Sequence, residues 1–270
     1  MIAAGTDALL ITAAIAFLLE LLHRQIFGKI RSHSPRRPRP VLGLALLLGA
    51  LAMQVIGAAA YAPLEPGSRM ALPMVIAGGI ALCLFALPTD VNLPSSRRHF
   101  IGTLTAAALL FAGGLQIPFI AIPGLGVHTL GGPTAFVLTL VFVFLFVSMI
   151  EICATVPVLM SLVAVAVGLM TFVPLRVNQT VPGQVLCGEL VGAIVGRLLA
   201  QIAGGKGRPL DKTEVLVVGY FSAAAALSTF VKGLATAGFI LPLGVVTIIF
   251  VTLAIHGFER TTILRSSPRA

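Results

Sequence analysis

Asp90 stands at the exit of an apolar run, in Ala86-Leu-Pro-Thr-Asp-Val-Asn-Leu93, and is followed by Arg97-Arg98-His99. It is a lone carboxylate, and one carboxylate alone holds an ion weakly. Glu20, Glu151, Glu189 and Arg197 are the other charges to examine, because each lies inside or at the end of an apolar run, where a charge is costly. Glu189 and Arg197 are eight residues apart, a little over two helical turns, so they are expected on nearly the same face of one helix, toward the interior. They are too far apart to pair directly; contacts to neighbouring helices or a polar path would both account for them. Glu20, beside His23 and Arg24, is expected to be solvated or locally paired. For Glu151 a functional role and a solvated turn are both open.

Other chemistries lack their parts. His33, His99, His128 and His256 are scattered, with no His-x-x-x-His pair, and no serine-nucleophile or phosphate-loop pattern is present. Cys83, Cys153 and Cys187 have no metal spacing and no disulfide framework, and are expected to pack as small apolar residues. Gly78-Gly79 and Gly113-Gly114 are expected to permit close helix packing.

The elements that must position these residues are membrane helices. With 58% hydrophobic and 10% charged residues and a mean hydropathy of +1.06, the chain has too little polar surface to cover a soluble core. The expected fold is all-α, a single polytopic transmembrane domain over 1–270 with about nine helices. The spans are expected over 5–22, 41–61, 70–87, 101–122, 134–150, 152–173, 183–203, 215–231 and 239–255. The first has no Lys or Arg before it and a basic run after it, the reverse of a signal peptide, and is expected to be retained.

Charge sets the expected orientation. Fourteen Lys and Arg residues fall on one side of this arrangement, among them Arg24, Arg36, Arg97, Lys206 and Arg260, against Arg69, Arg176 and Lys232 on the other. The positive-inside rule then places the N-terminus outside and the C-terminus in the cytoplasm. It also makes the basic 23–40 segment a cytoplasmic loop, either a topology anchor on anionic membrane lipid or a phosphate-binding loop, and makes 88–100 a second cytoplasmic loop. The net charge of +9 is thereby a matter of topology, and nucleic acid is not an expected partner. The external 123–133 connection is turn-rich and expected to cap the fold.

Read in order, residues 29–200 resemble the polyprenyl-phosphate N-acetylhexosamine-1-phosphate transferases, which join a sugar phosphate from a UDP-sugar to a lipid phosphate. His33-Ser-Pro-Arg-Arg-Pro-Arg-Pro-Val-Leu-Gly-Leu-Ala45 is similar to the family's H-x-x-P-x-P-R-x-G-G-x-A loop, and Ala86 to Leu93 falls where the family has G-x-x-D-D. His99-Phe-Ile-Gly-Thr-Leu-Thr-Ala-Ala107 looks like K-x-x-G-Q-x-x-A-A. Ser148 to Leu159 sits at N-A-x-N-x-x-D-G-x-D-G-L, and Pro182 to Glu189 with Gly192 and Gly196 is similar to P-A-x-x-F-x-G-D-x-G-S.

The resemblance implies Asp90 and Glu151 as catalytic candidates. It implies His33, Arg36, Arg39, Arg97, Arg98 and His99 as substrate-binding, and Asp90 with Glu189 as ligands of Mg²⁺ if the protein is active. The paired acids become Thr89 and Asp90, the two Asn become Ser148 and Glu151, the next two Asp become Ala154 and Pro157, and the later Asp becomes Glu189. The H-x-H-H-R loop has no counterpart. Losing that many ligands costs many powers of ten in rate.

The expected protein is therefore a degenerate homologue in the bacterial inner membrane. It would bind a polyprenyl-phosphate lipid, or assist surface-glycan synthesis beside a glycan-assembly partner. Two alternatives stay open: an active, divergent UDP-sugar:undecaprenyl-phosphate transferase, and a small transporter or channel.

Overall fold

The computed structural model describes residues 3–28, 41–60, 70–86, 95–122, 126–154, 157–177, 181–204 and 211–230. These form eight helices and one hairpin: α1 (Ala3–Gly28), α2 (Val41–Ala60), α3 (Ala71–Ala86), α4 (Ser95–Ala112), β1 (Phe119–Ile122), β2 (Gly126–Thr129), α5 (Gly132–Cys153), α6 (Pro157–Val177), α7 (Val181–Gly204) and α8 (Lys212–Ser228). The helical class is as expected. The ninth expected span, 239–255, lies outside the described residues. Three helical stretches, Ala4–His23, Gly132–Cys153 and Val181–Ala203, are long and apolar enough to cross a membrane, and three shorter apolar ones accompany them. Leu10, Val55, Leu84, Leu145 and Leu162 point outward and are largely exposed. Such an apolar exterior around buried charges suits lipid as the surrounding medium.

Several boundaries differ from the sequence reading: α1 runs on to Gly28, so 23–28 is helical and not part of the expected 23–40 loop, and α6 begins at Pro157 and not at 152. The fourth helix begins at Ser95, not at 101, so Arg97, Arg98 and His99 occupy its first turns instead of the 88–100 loop. It also ends at Ala112, ten residues early. The Gly114 N–H donates to the Phe111 carbonyl and the Leu115 N–H to the Leu110 carbonyl, both at 3.0 Å. With Gly114 at φ +82°, this is the glycine-based stop that satisfies a helix's last carbonyls. Gly114 therefore serves a turn and not helix packing. Gly113 does pack, its missing Cβ leaving room for Met74 of α3.

The chain then turns into the antiparallel β1–β2 hairpin, with Ile120 opposite His128. The hairpin is tied down by the Leu130 N–H on the Pro118 carbonyl at 2.8 Å and by the Ile117 N–H on Thr139 Oγ1 at 3.1 Å. Hydropathy alone read Phe119–Ile122 as the tail of a span, because a short apolar strand and a short apolar helix segment look alike.

Close contacts fix the helix directions. Phe85 lies against Gly102 and Met74 against Gly113, and Val191 against Gly168 and Leu175 against Gly183, so α3/α4 and α6/α7 are antiparallel pairs. Thr12 lies against Gly49, and the start of α2, bonded to Glu214 beside Arg197, lies at the end toward which α1 runs past Gly196, so α1/α2 are antiparallel too. Edge-on ring pairs Phe111–Phe136 and Phe100–Phe144 make α4/α5 antiparallel too. Gly219 against Val147 and Phe142 against Phe230 do the same for α5/α8. By contrast α1 and α7 run parallel: Gly188 meets Gly5, Gly192 meets Leu9 and Gly196 meets Ala13. A Cβ at any of these three glycines would overlap the carbonyl oxygen opposite. Small residues at every fourth position let the backbones approach this closely. On α1, Ala4, Ala8, Thr12, Ala16 and Glu20 form the matching buried row.

The core centres on α8, where every residue from Thr213 to Ser228 is buried. A helix apolar all round belongs inside a bundle, and α2, α3, α5, α6 and α7 pack around this one. Its Tyr220 hydroxyl donates to the Val75 carbonyl of α3 at 3.1 Å, in space that the absent Cβ of Gly78 leaves open. Gly78→Ala is expected to destabilise wild type by about 1–3 kcal/mol. In a Tyr220→Phe background it should cost less, since the hydroxyl that the new methyl meets is gone. A double-mutant cycle on thermal unfolding in detergent reads this coupling, and additive losses would mean that the two sites are not in contact.

Candidate functional site

With neighbouring helices alternating in direction, α1, α3, α5 and α7 finish at one end of the bundle, where α2, α4, α6 and α8 begin. The chemistry-bearing residues gather at that end, and Glu214 is its best-defined element. Glu214 is fully buried in the first turn of α8. Its Oε1 accepts the Leu42 N–H at the start of α2 at 2.8 Å, and its Oε2 accepts the Asp211 N–H at 2.9 Å. One carboxylate thus serves the exposed donors of two helix starts, where negative charge is also favoured by the peptide dipoles. Arg197 of α7, also buried, brings Nη1 to 4.0 Å from Glu214 Oε2.

Arg197 accordingly faces the interior and contacts a neighbouring helix, as expected. Glu214 was not singled out in the sequence. Its signal is Asp211-x-x-Glu214 ahead of an apolar run, a helix-start pattern. Glu20, in the second half of α1, is 3% exposed. The solvated alternative for it is thereby overturned, because the α1–α7 seam buries the α1 face that carries it.

The sequence-predicted residues divide three ways. His33, Arg36, Arg39 and Asp90 lie outside the described residues. The helices that flank them, α1 and α2, and α3 and α4, meet at the Glu214 end. Arg97, exposed, and Arg98 and His99, half-buried, stand in the first turns of α4. Glu151 is exposed in the last turn of α5. The antiparallel α4–α5 pair brings these four to the same end.

Glu189 is separated from them. It lies eight residues before Arg197 on α7, about 12 Å along the axis, toward the opposite end. Among the described residues no group of three or more His, Cys, Asp or Glu side chains comes together to hold a metal ion. Glu189 does not join Glu151 as a donor, and Asp90, its expected partner on Mg²⁺, lies outside the described residues.

Gly188, Gly192 and Gly196, expected from the sequence to match P-A-x-x-F-x-G-D-x-G-S, lie directly against the α1 backbone. Among the cysteines, Cys187 Sγ lies 2.9 Å from Thr171 Oγ1, and both side chains are buried in the α6–α7 contact. All three thiols are free, consistent with their expected packing role. The chain matches no protein-family model and no curated protein sequence.

Proposed function

We propose that the chain is a multi-pass protein of the bacterial inner membrane on the scaffold of the polyprenyl-phosphate sugar-1-phosphate transferases. Its catalytic centre is substituted, and its retained task is to bind a polyprenyl-phosphate lipid in surface-glycan assembly. The observation that supports this reading is the convergence at the Glu214 end. Arg97, Arg98 and His99 at the start of α4 share that end with Glu151. Guanidinium groups at a helix start are suited to a phosphate. The positive-inside rule makes this the cytoplasmic end, the side on which a nucleotide sugar would be met.

Binding is tested by native mass spectrometry of the purified protein with undecaprenyl phosphate. The double variant Arg97→Ala/Arg98→Ala is expected to bind at least about tenfold more weakly, the loss of one or two charge-assisted hydrogen bonds. Equal binding by the variant would sink the reading.

Catalysis is tested by UMP release from UDP-N-acetylhexosamines with the same lipid and Mg²⁺, comparing wild type with Asp90→Asn. No turnover is expected beside an active transferase assayed in parallel. Turnover abolished by Asp90→Asn would make the protein an active divergent transferase. A second reading, a small transporter or channel, is favoured by the buried polar residues Glu189 and Arg197 of α7. Solute or ion flux in proteoliposomes, lost on substituting them, would establish it.

A further inference from the structure

We propose that Glu189 is a proton-binding site in the interior of the bundle. Its side chain has no solvent exposure, and among the described residues neither carboxyl oxygen has a hydrogen-bond partner. Nor, among the described residues, does a positive group stand at its level. Arg197, the one basic residue of α7, is about 12 Å further along the axis and is placed against Glu214. The parallel register with α1 sets Gly188 beside Gly5 and Gly192 beside Leu9, so the titratable α1 residue nearest in level is Asp7, itself an acid.

The other neighbours supply nothing either. The α2 segment 41–60 contains no titratable residue. On α6 the titratable residue is Arg176, in its last turn and level with the first turn of α7. On α8, Lys212 is exposed in the first turn, at the Glu214 end, Tyr220 is engaged with Val75 and Glu214 with two backbone N–H groups. A carboxylate with no solvent exposure, and with no hydrogen bond or counter-charge among the described residues, is very costly in an apolar bundle. A bound proton removes that cost, and no other ligand atoms are needed to hold it. The next polar group along the seam is the Thr12 hydroxyl, also fully buried and without a hydrogen-bond partner. By the same register it lies about 9 Å deeper, toward the Glu214 end.

The inference is independent of the lipid-binding reading. Its test uses the full-length protein in vesicles treated with dicyclohexylcarbodiimide. This apolar reagent adds a protonated carboxyl across one C=N bond, the carboxyl proton passing to nitrogen, and rearranges to a stable N-acylurea with no leaving group. Peptide mass spectrometry is expected to find the adduct at residue 189 and to lose it in Glu189→Gln. Glutamine is the neutral isostere of the protonated acid, so the thermal midpoint of Glu189→Gln should equal that of wild type. No adduct at Glu189, or a midpoint lowered by Glu189→Gln, would overturn the proposal, because the carboxylate would then be charged and paired.

Discussion

Gly192→Leu should force α1 and α7 apart and unfold the bundle at markedly lower temperature, with a loss of about 3 kcal/mol or more. Even a Cβ at this position would overlap the Leu9 carbonyl oxygen and come to 3.0 Å from the Leu9 Cα. Those are backbone atoms in the middle of a helix, and they cannot rotate aside as a side chain does. The same geometry repeats at Gly188 and Gly196, so the seam cannot shift along its length to relieve one site. Gly192→Ala should already cost about 1–3 kcal/mol. The measurement is thermal unfolding in detergent, with Leu199→Ala as a control because Leu199 is half exposed. The control is expected to stay within about 0.5 kcal/mol. Gly192→Leu behaving like the control would mean that α1 and α7 do not touch at this level.

The second large effect is expected at Glu214. Glu214→Ala removes the acceptor for the Leu42 and Asp211 N–H groups and the carboxylate 4.0 Å from Arg197 Nη1, and both side chains of that pair are buried. Breaking a buried pair by deleting one partner costs about 3–5 kcal/mol, because the remaining charge stays desolvated. Glu214→Gln should lose less, about 1–3 kcal/mol: its one carbonyl oxygen can serve either N–H, while its NH₂ group faces the other donor. The expected order of thermal midpoints is therefore wild type, Gln, Ala. Arg197→Met in the Glu214→Ala background should recover part of the loss, since it removes the guanidinium that has lost the Glu214 carboxylate while keeping apolar bulk. Additive losses from these two substitutions would show that Arg197 and Glu214 are not coupled.

The sequence by itself determined the helical class and most of the helix positions, because each apolar run is long enough to declare its own helix without reference to any partner. It also placed Arg197 and Glu189 inside, from the cost of charge in an apolar segment and the helical period. The cysteines were legible for the same reason, as isolated apolar residues with no spacing to bind anything.

What a run of similar residues does not encode is which run it meets. The parallel α1–α7 contact joins elements more than 150 residues apart, and only the tertiary structure gives Gly188, Gly192 and Gly196 their role as points of backbone contact. Glu214 had a local signal as a helix-start residue, yet its bond to Leu42 of α2 spans 172 residues. Local pattern cannot predict such a partner. The hairpin at Phe119–Thr129 was hidden because hydropathy measures apolar content and not backbone direction. Tertiary structure likewise separated Glu189 from Glu151: helix direction, set by packing, decides which end of the bundle each acid occupies.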